Sequence, residues 1–228
     1  YGVTPHGNFE EKNIFFITET VAEFAARKSW NVEATIAKFE SWKKKMGEAR
    51  RKRIPPLTDD KIIVSWNGLM ISAFARAGFI LKNQGYIDAA IKAAQHILGH
   101  LIQKGELHRS FRSGKVSSHA FLDDYTCLIH GLIELFEVTG QPRWLNHAIT
   151  LQNQMIQKFW DNGLGGFYSS SENNMFLCEK PFYDGAEPSG NSIAAWNLLR
   201  FSSLLKDESY RNHAQKIFEL YSSVIKNN

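Results

Sequence analysis

Asp59-Asp60-Lys61-Ile62-Ile63-Val64-Ser65-Trp66-Asn67-Gly68-Leu69-Met70 sets two carboxylates at the mouth of an apolar run that continues to about Leu81. A run that is apolar on nearly every side does not suit a surface helix, so it predicts a helix buried on most sides from about Asp60 to Leu81. After Lys82-Asn83-Gln84-Gly85 a second helix is expected from Tyr86 to Gln103. The arrangement recurs as Asp123 to Val138 followed by Arg143 to Trp160, and as Ser189 to Leu205 followed by Glu208 to Lys226. The second helices open alike, with Tyr86-Ile87-Asp88-Ala89-Ala90, Trp144-Leu145-Asn146-His147-Ala148 and Tyr210-Arg211-Asn212-His213-Ala214. A supersecondary unit returning at intervals of 58 and 66 residues is the mark of a helical repeat architecture.

The two helices of each unit differ in kind. Leu69, Met70, Ile71, Phe74 and Phe79, or Leu128, Ile129, Leu132 and Leu135, leave the first helix no polar face. Ala90, Ile91, Ala94, Ile97 and Leu98 give the second a single apolar stripe against Lys92, Gln95 and His96. A buried helix followed by a half-exposed one implies two concentric layers, which is an all-α α/α toroid. Short β-hairpins are expected in the links, at Glu106–Phe111 before Ser113-Gly114 and at Leu164–Tyr168 before Glu172-Asn173-Asn174. Such loops form the natural walls of a cleft at one end of the toroid.

Upstream, Asn13-Ile14-Phe15-Phe16-Ile17-Thr18 reads as a short strand and Glu19 to Arg27 as a helix. Asn31 is a natural N-cap for a helix reaching about Arg53, which Pro55-Pro56 ends. The chain is thus expected to form one toroid fragment over residues 1–228. Residues 1–58 supply a strand and a basic helical segment, and 59–228 supply three hairpin repeats.

With 43% hydrophobic and 22% charged residues the composition is that of a soluble globular protein, and no charge-free apolar run reaches the roughly 18 residues a membrane span needs. No membrane association is expected. The chain opens at Tyr1 without an initiator Met or a signal-peptide pattern, and reads as a piece of a longer protein. The basic run from Lys43 to Lys61 suits either a solvated helix face or a nucleic-acid surface, and the solvated face is preferred. Cys127 and Cys178 lack CxxC or His-paired spacing, so neither a zinc site nor a redox dithiol is expected, and a reducing, cytoplasmic setting fits. The absence of GxGxxG, Walker, GxSxG and HExxH patterns leaves no cofactor or metal to expect.

The chain resembles the C-terminal part of the thioredoxin-domain-containing proteins related to spermatogenesis-associated protein 20. The resemblance is carried by Asp59-Asp60-Lys61 with Trp66-Asn67-Gly68-Leu69-Met70, by Leu122-Asp123-Asp124-Tyr125, by Gly165-Gly166-Phe167, and by Asp184-Gly185-Ala186-Glu187-Pro188-Ser189-Gly190-Asn191-Ser192. It implies an N-terminal thioredoxin-like domain outside this stretch, joined to an (α/α)6 toroid like those of six-hairpin glycosidases and N-acylglucosamine epimerases. Three hairpins are about half of such a ring. The inner helices at its open edges would expose apolar flanks, so either a homodimer through those edges or poor solubility is expected.

The three inner helices begin with Asp59-Asp60, Asp123-Asp124 and Glu187-Pro188-Ser189-Gly190-Asn191, at equivalent places in successive repeats. Acidic and hydroxylic residues suit helix N-termini as caps, and that role alone would explain any one of them. Three such starts converging on one mouth also suit general acid–base work on a sugar oxygen. Adjacent residues on a helix point about 100° apart, so the catalytic partners are expected from different repeats. Asp60 and Asp124 form the preferred pair, with Asp184 or Glu187 as third member. Trp66, Tyr125 and Tyr183 could stack on sugar rings, as could Phe121 and Trp196, although aromatics at helical spacing also serve the core. His108, Arg109 and Arg112 could hold a carboxylate or phosphate, or be plain surface charge. His119 could transfer a proton. Asn67, Ser189 and Asn191 complete the binding set, with capping or bridging of backbone groups as the alternative for the two asparagines.

Two functions follow: a carbohydrate-active enzyme, hydrolase or epimerase, or a non-catalytic carbohydrate-binding or scaffold module serving the thioredoxin-like domain. Nucleic-acid binding through Lys43–Arg53 is a distant third.

Overall fold

A computed structural model describes residues 1–171 and 179–226, without the side chains of 223–226. The chain divides into two compact units, Tyr1–Asp59 and Asp60–Asn228.

The first unit is a helical hairpin. α1 (Val21–Lys28) starts at Thr20, whose side chain forms a reciprocal capping box with Glu23, and α2 (Val32–Arg51) starts at Asn31, whose Oδ1 accepts from Ala34 N at 2.9 Å. Phe24 packs between Trp30 and Phe39, with ring centroids 5.9 and 5.2 Å away. The strand expected over Asn13–Thr18 does not form. Ile14 N–H donates to Asn8 Oδ1 instead of to a neighbouring strand, and Asn8 Nδ2 donates back to the Gly2 and Ile14 carbonyls. Hydrophobic alternation alone does not make a strand where no second strand lies alongside.

The second unit holds three helical hairpins: α3 (Val64–Ile80) with α4 (Gln84–His100), α5 (Leu122–Thr139) with α6 (Pro142–Phe159), and α7 (Gly190–Leu205) with α8 (Glu208–Lys226). α5 packs against α3 on one side and α7 on the other, and each inner helix is backed by the helix that follows it. The result is a two-layered arc of an α/α toroid. Leu128, Ile129, Leu132, Ile133 and Leu135 of α5 are completely buried, whereas α6 buries the stripe Trp144, Ala148, Leu151, Gln152, Met155 and Phe159. The expected patterning is realised in α5 and α6. α3, expected to be buried on most sides, buries only Val64, Ser65, Gly68, Ile71, Ala75 and Gly78 and leaves Met70 exposed. Phe79 and Ile80 on α3 and Trp196 on α7 stand more than half exposed. No helix among the described residues is long and apolar enough to cross a membrane.

The inner helices approach closely because glycines face each other. A Cβ on Gly68 would lie 2.4 Å from the Cys127 carbonyl carbon, and one on Gly131 would lie 2.7 Å from Gly68 O. Backbone therefore touches backbone between α3 and α5.

The first inner helix begins four residues later than its apolar run suggested. Ile62-Ile63 form strand β1, paired antiparallel with β4 (Ser110–Arg112), which pairs in turn with β5 (Lys115–Val116). β-branched residues suit that pleated edge, and Val64 N–H donates to Arg109 O as the helix starts. Asp59 and Asp60 therefore precede the helix and do not cap it. Similarly α4 stops at His100 because the chain turns through a second hairpin, β2 (Ile102–Gln103) with β3 (Glu106–Leu107). At the third link Phe167 bridges Trp160, with Gly165 and Gly166 at φ 76° and 75°, a region that glycine enters without strain. The turn expected at Glu172-Asn173-Asn174 lies outside the described residues, as does Cys178.

The glycine contact yields a contrast between two substitutions. Gly68→Ala should cost about 1–3 kcal/mol or more, because the backbone of α5 must move. Gly99→Ala in α4, where an added Cβ would meet nothing within 4 Å, should be neutral or stabilise by up to about 1 kcal/mol. Urea denaturation followed by circular dichroism measures both; equal effects would remove the close approach as an explanation.

Candidate active site at the inner-helix mouth

Asp124 is the most constrained charge of the mouth. It occupies the third position of α5 and is fully buried. Its Oδ2 accepts from Phe121 N at 3.0 Å and from Arg109 Nη1 at 3.3 Å, and its Oδ1 accepts from Ser65 N at 3.1 Å. One carboxylate thus ties together the starts of α5 and α3 and the strand link between them. Burial pushes its carboxyl pKa upward, against the opposing pull of the Phe121 N–H, the Arg109 charge and the Ser65 N–H. Every contact is internal, so Asp124 is a structural tie and does not face a ligand.

Asp123, one residue earlier, is half-buried and turned to the other side. α7 begins against it: a Cβ on Gly190 would lie 2.9 Å from Asp123 Oδ1. Burial raises its carboxyl pKa, Arg109 lowers it, and the negative charge of Glu187 raises it again. Glu187 is exposed, and its Oε1 accepts from Trp66 Nε1 at 2.7 Å, a bond between α3 and the loop entering α7. The mouth therefore brings together Asp123 from the second repeat, Glu187 from the third and Trp66 from the first.

The loop carrying Glu187 is held from below. Asn191, buried, accepts from Phe167 N at 2.8 Å and donates to Phe167 O and Pro181 O. Lys180 Nζ donates to Asp161 Oδ2 at 2.6 Å and to Gly165 O at 2.8 Å. Asp184 Oδ1 accepts from Ser189 N at 2.8 Å, and the Ser189 hydroxyl caps α7 by accepting from Ser192 N. Asp184, Ser189 and Asn191 thus shape the loop, and of these neighbours Tyr183, 80% exposed, is the side chain left open to solvent.

Several expected site residues lie elsewhere or are otherwise engaged. Asp60 is exposed on the sheet edge, where it pairs with Arg112 at 2.5 Å. It does not share the mouth position of the Asp123-Asp124 pair, because β1 displaces it from the helix start. Tyr125 is 1% exposed and packed on Phe159, with its hydroxyl pKa pushed up to about 12 chiefly by burial, so its ring offers no stacking face. Asn67 donates to Ile63 O at 2.8 Å, the backbone-bridging alternative. His108 stacks on His119 at 5.4 Å and uses Nδ1 on Ser117 O, which keeps it within the link hairpin. Arg109 does reach the mouth, over the Phe121 ring and beside Asp124. No cluster of three or more His, Cys, Asp or Glu able to hold a metal occurs among the described residues.

Asp123 was missed as the outward member of its pair. One signal could have found it. A carboxylate three residues after the last loop residue reaches back to that residue's N–H, as in a capping box, which marks Asp124 as structural and frees Asp123.

Three hairpins in two layers define part of an (α/α)6 toroid fold. The fold is shared with a GH76 α-mannanase of Bacteroides thetaiotaomicron (TM-score 0.59, 16% identity, 75% of this chain and 46% of that one). It is shared too with the cellobiose 2-epimerase of Spirochaeta thermophila (TM-score 0.55, 17% identity, 71% and 43%). A family 105 glycoside hydrolase of Clostridium acetobutylicum is a third (TM-score 0.58, 12% identity, 88% and 60%). No family profile matches the chain. Its sequence matches the C-terminal part of spermatogenesis-associated protein 20. The human protein is 33% identical over 209 residues, which are 86% of this chain and 27% of the relative. An uncharacterised Caenorhabditis elegans protein is 34% identical over 223 residues, 94% and 30% respectively. The chain thus spans under a third of the length of these relatives.

The raised carboxyl pKa of Asp123 has a signed consequence for stability. Its value lies above the ordinary 3.8, so the folded state holds the proton more tightly than the unfolded chain does. Its contribution is therefore lost as pH rises from about 4 through the raised value. Asp123→Asn should raise the Tm at neutral pH, and the gain should vanish below about pH 4. Calorimetric scans across that range test the sign; a gain that grows toward acid would contradict it.

Proposed function

We propose that the mouth is a carbohydrate-active site in which Asp123 and Glu187 are the working carboxylates. The observation that carries this reading is their disposition: two carboxylates from different repeats, within electrostatic reach of each other, at the open end of the inner helices. Acid–base chemistry at a glycosidic or anomeric oxygen needs one carboxyl that holds its proton toward neutrality and a second group to act on the other side of the bond. Half-burial and the nearby Glu187 charge favour the proton on Asp123, which makes it the general acid. It gives that proton to the leaving oxygen as the bond to the sugar carbon breaks. Glu187, oriented by the Trp66 N–H, serves as the second carboxylate, acting on the sugar carbon or on an attacking water. Tyr183 and the exposed face of Trp66 offer stacking surfaces beside it. Arg109 holds Asp124 in place and moderates the charge on Asp123. An α-mannanase and a cellobiose 2-epimerase share the fold, which is in keeping with a carbohydrate substrate.

The other reading is a non-catalytic carbohydrate-binding or scaffold module joined to a thioredoxin-like domain in the longer protein. The exposed Tyr183 and Trp66 would serve it equally well.

Paired substitutions separate the two. Asp123→Asn should lower turnover of a mannan or cello-oligosaccharide panel by about 10²–10⁴-fold while the fold persists. Asp124→Asn should lower stability by about 1–3 kcal/mol, because a buried charge network loses its centre. Glycan-array binding with no product from the unsubstituted protein would favour the binding module.

A further inference from the structure

Below the mouth, the inner face carries a second polar station. Asp123, Cys127, His130 and Glu134 follow one another along a single face of α5, at spacings of four, three and four residues. His130 and Glu134 line an open groove of about 470 Å³ together with Ser72 and Arg76 of α3 and Ser192 and Trp196 at α7. The groove also touches Pro188, next to Glu187, so it runs from the mouth along the concave face of all three inner helices.

The polar groups here are built and held in place. Glu134, 4% exposed, takes Arg200 Nη1 on its Oε1 at 2.9 Å and Arg76 Nη1 at 3.4 Å, while Arg200 Nη2 reaches Glu137 Oε2 at 2.8 Å. His130 Nδ1 lies 3.3 Å from Asn197 Oδ1 and 3.4 Å from Arg200 Nη1. Asn197 gives its own amide hydrogen to Thr126 O, so its Oδ1 and the Arg200 guanidinium both meet the imidazole at Nδ1. Burial and then the Arg200 charge lower the His130 pKa, so the ring is neutral. Nδ1 is thus engaged toward α7, while the His130 ring lines the groove. Trp196 stands beside it, 57% exposed.

We infer that this station is a second sugar subsite, in which the His130 imidazole hydrogen-bonds a hydroxyl, the Arg76–Glu134 pair supplies donor and acceptor beside it, and Trp196 stacks on the ring. This rests on the carbohydrate reading of the mouth and extends it to a ligand class. Positive and negative groups balance within the cluster, which favours a neutral polyhydroxylated ligand over an anion. Seven residues separate Asp123 from His130, a rise of about 10 Å along the helix. A single hexose at the mouth does not reach that far, whereas the next residue of an oligosaccharide does. The ligand is therefore a neutral oligosaccharide of at least two residues.

The test uses the full chain with mannobiose and cellobiose, and with mannose and glucose as one-residue controls. Nitrogen-15 NMR reads the Trp66 indole N–H and the His130 ring nitrogens at once, and calorimetry gives the Kd. A disaccharide should shift both reporters and a monosaccharide only Trp66. His130→Ala should weaken disaccharide binding about tenfold and leave monosaccharide binding within about twofold, as loss of one hydrogen bond implies. Trp66 shifts without any response at His130, or an equal effect of His130→Ala on both sugar lengths, would overturn the subsite and leave the mouth intact. Silence at both reporters with every sugar would overturn the carbohydrate reading and the subsite with it.

Discussion

The buried carboxylate of Asp124 is the constraint on which the mouth depends. Three donors converge on it, from the start of α3, from the loop entering α5 and from the strand link before it. Water is excluded there, so each bond is stronger than it would be at the surface, and losing any donor would leave charge uncompensated. The geometry follows. With Ser65 N fixed to Asp124, Trp66 is aimed from the first repeat, and its indole reaches Glu187 of the third. The site is assembled by a residue that does not face it.

A second constraint, of volume, sets how tightly the arc closes. Gly68 and Gly131 let α3 and α5 meet backbone to backbone, and Gly190 lets α7 start directly against Asp123. Helices in ordinary contact stand 8–10 Å apart, and bulkier residues at these positions would widen the concave face. The glycines therefore keep side chains from three repeats close together, at the mouth and in the groove below it.

Much of the fold was legible in the sequence because it is written in repetition. Leu128, Ile129, Leu132 and Leu135 announce an all-round buried helix, and Trp144, Ala148, Leu151 and Met155 a one-sided one; burial follows both patterns. The cap at Asn31 was equally plain, since a short polar side chain before an apolar run has few other uses, whereas Ser189, assigned to ligand binding, caps α7. Failures arose where a tertiary contact outbid local pattern. Ile62-Ile63 looked like the first turn of a helix and became a strand because Ser110–Arg112 lies alongside. Phe15 and Ile17 looked like a strand and had none alongside. Asp60, placed by analogy with Asp124, moved with the strand out of the mouth and onto Arg112.

The division of labour between Asp123 and Asp124 shows why a doubled acid is a poor guide to chemistry until its neighbours are known. Adjacent helical residues diverge by about 100°, so the two members of such a pair meet different surroundings, here the backbone of α3 for Asp124 and the start of α7 for Asp123. The inward one gathers N–H groups and a guanidinium, which fixes it; the outward one keeps partial burial without full satisfaction. That second condition perturbs an acid usefully, because desolvation favours the proton while access to a ligand remains. A carboxylate satisfied on every side, as Asp124 is, cannot exchange its partners for a substrate without undoing the arc that holds the site. Asp123 can, and its neighbour's immobility is what makes its own position definite.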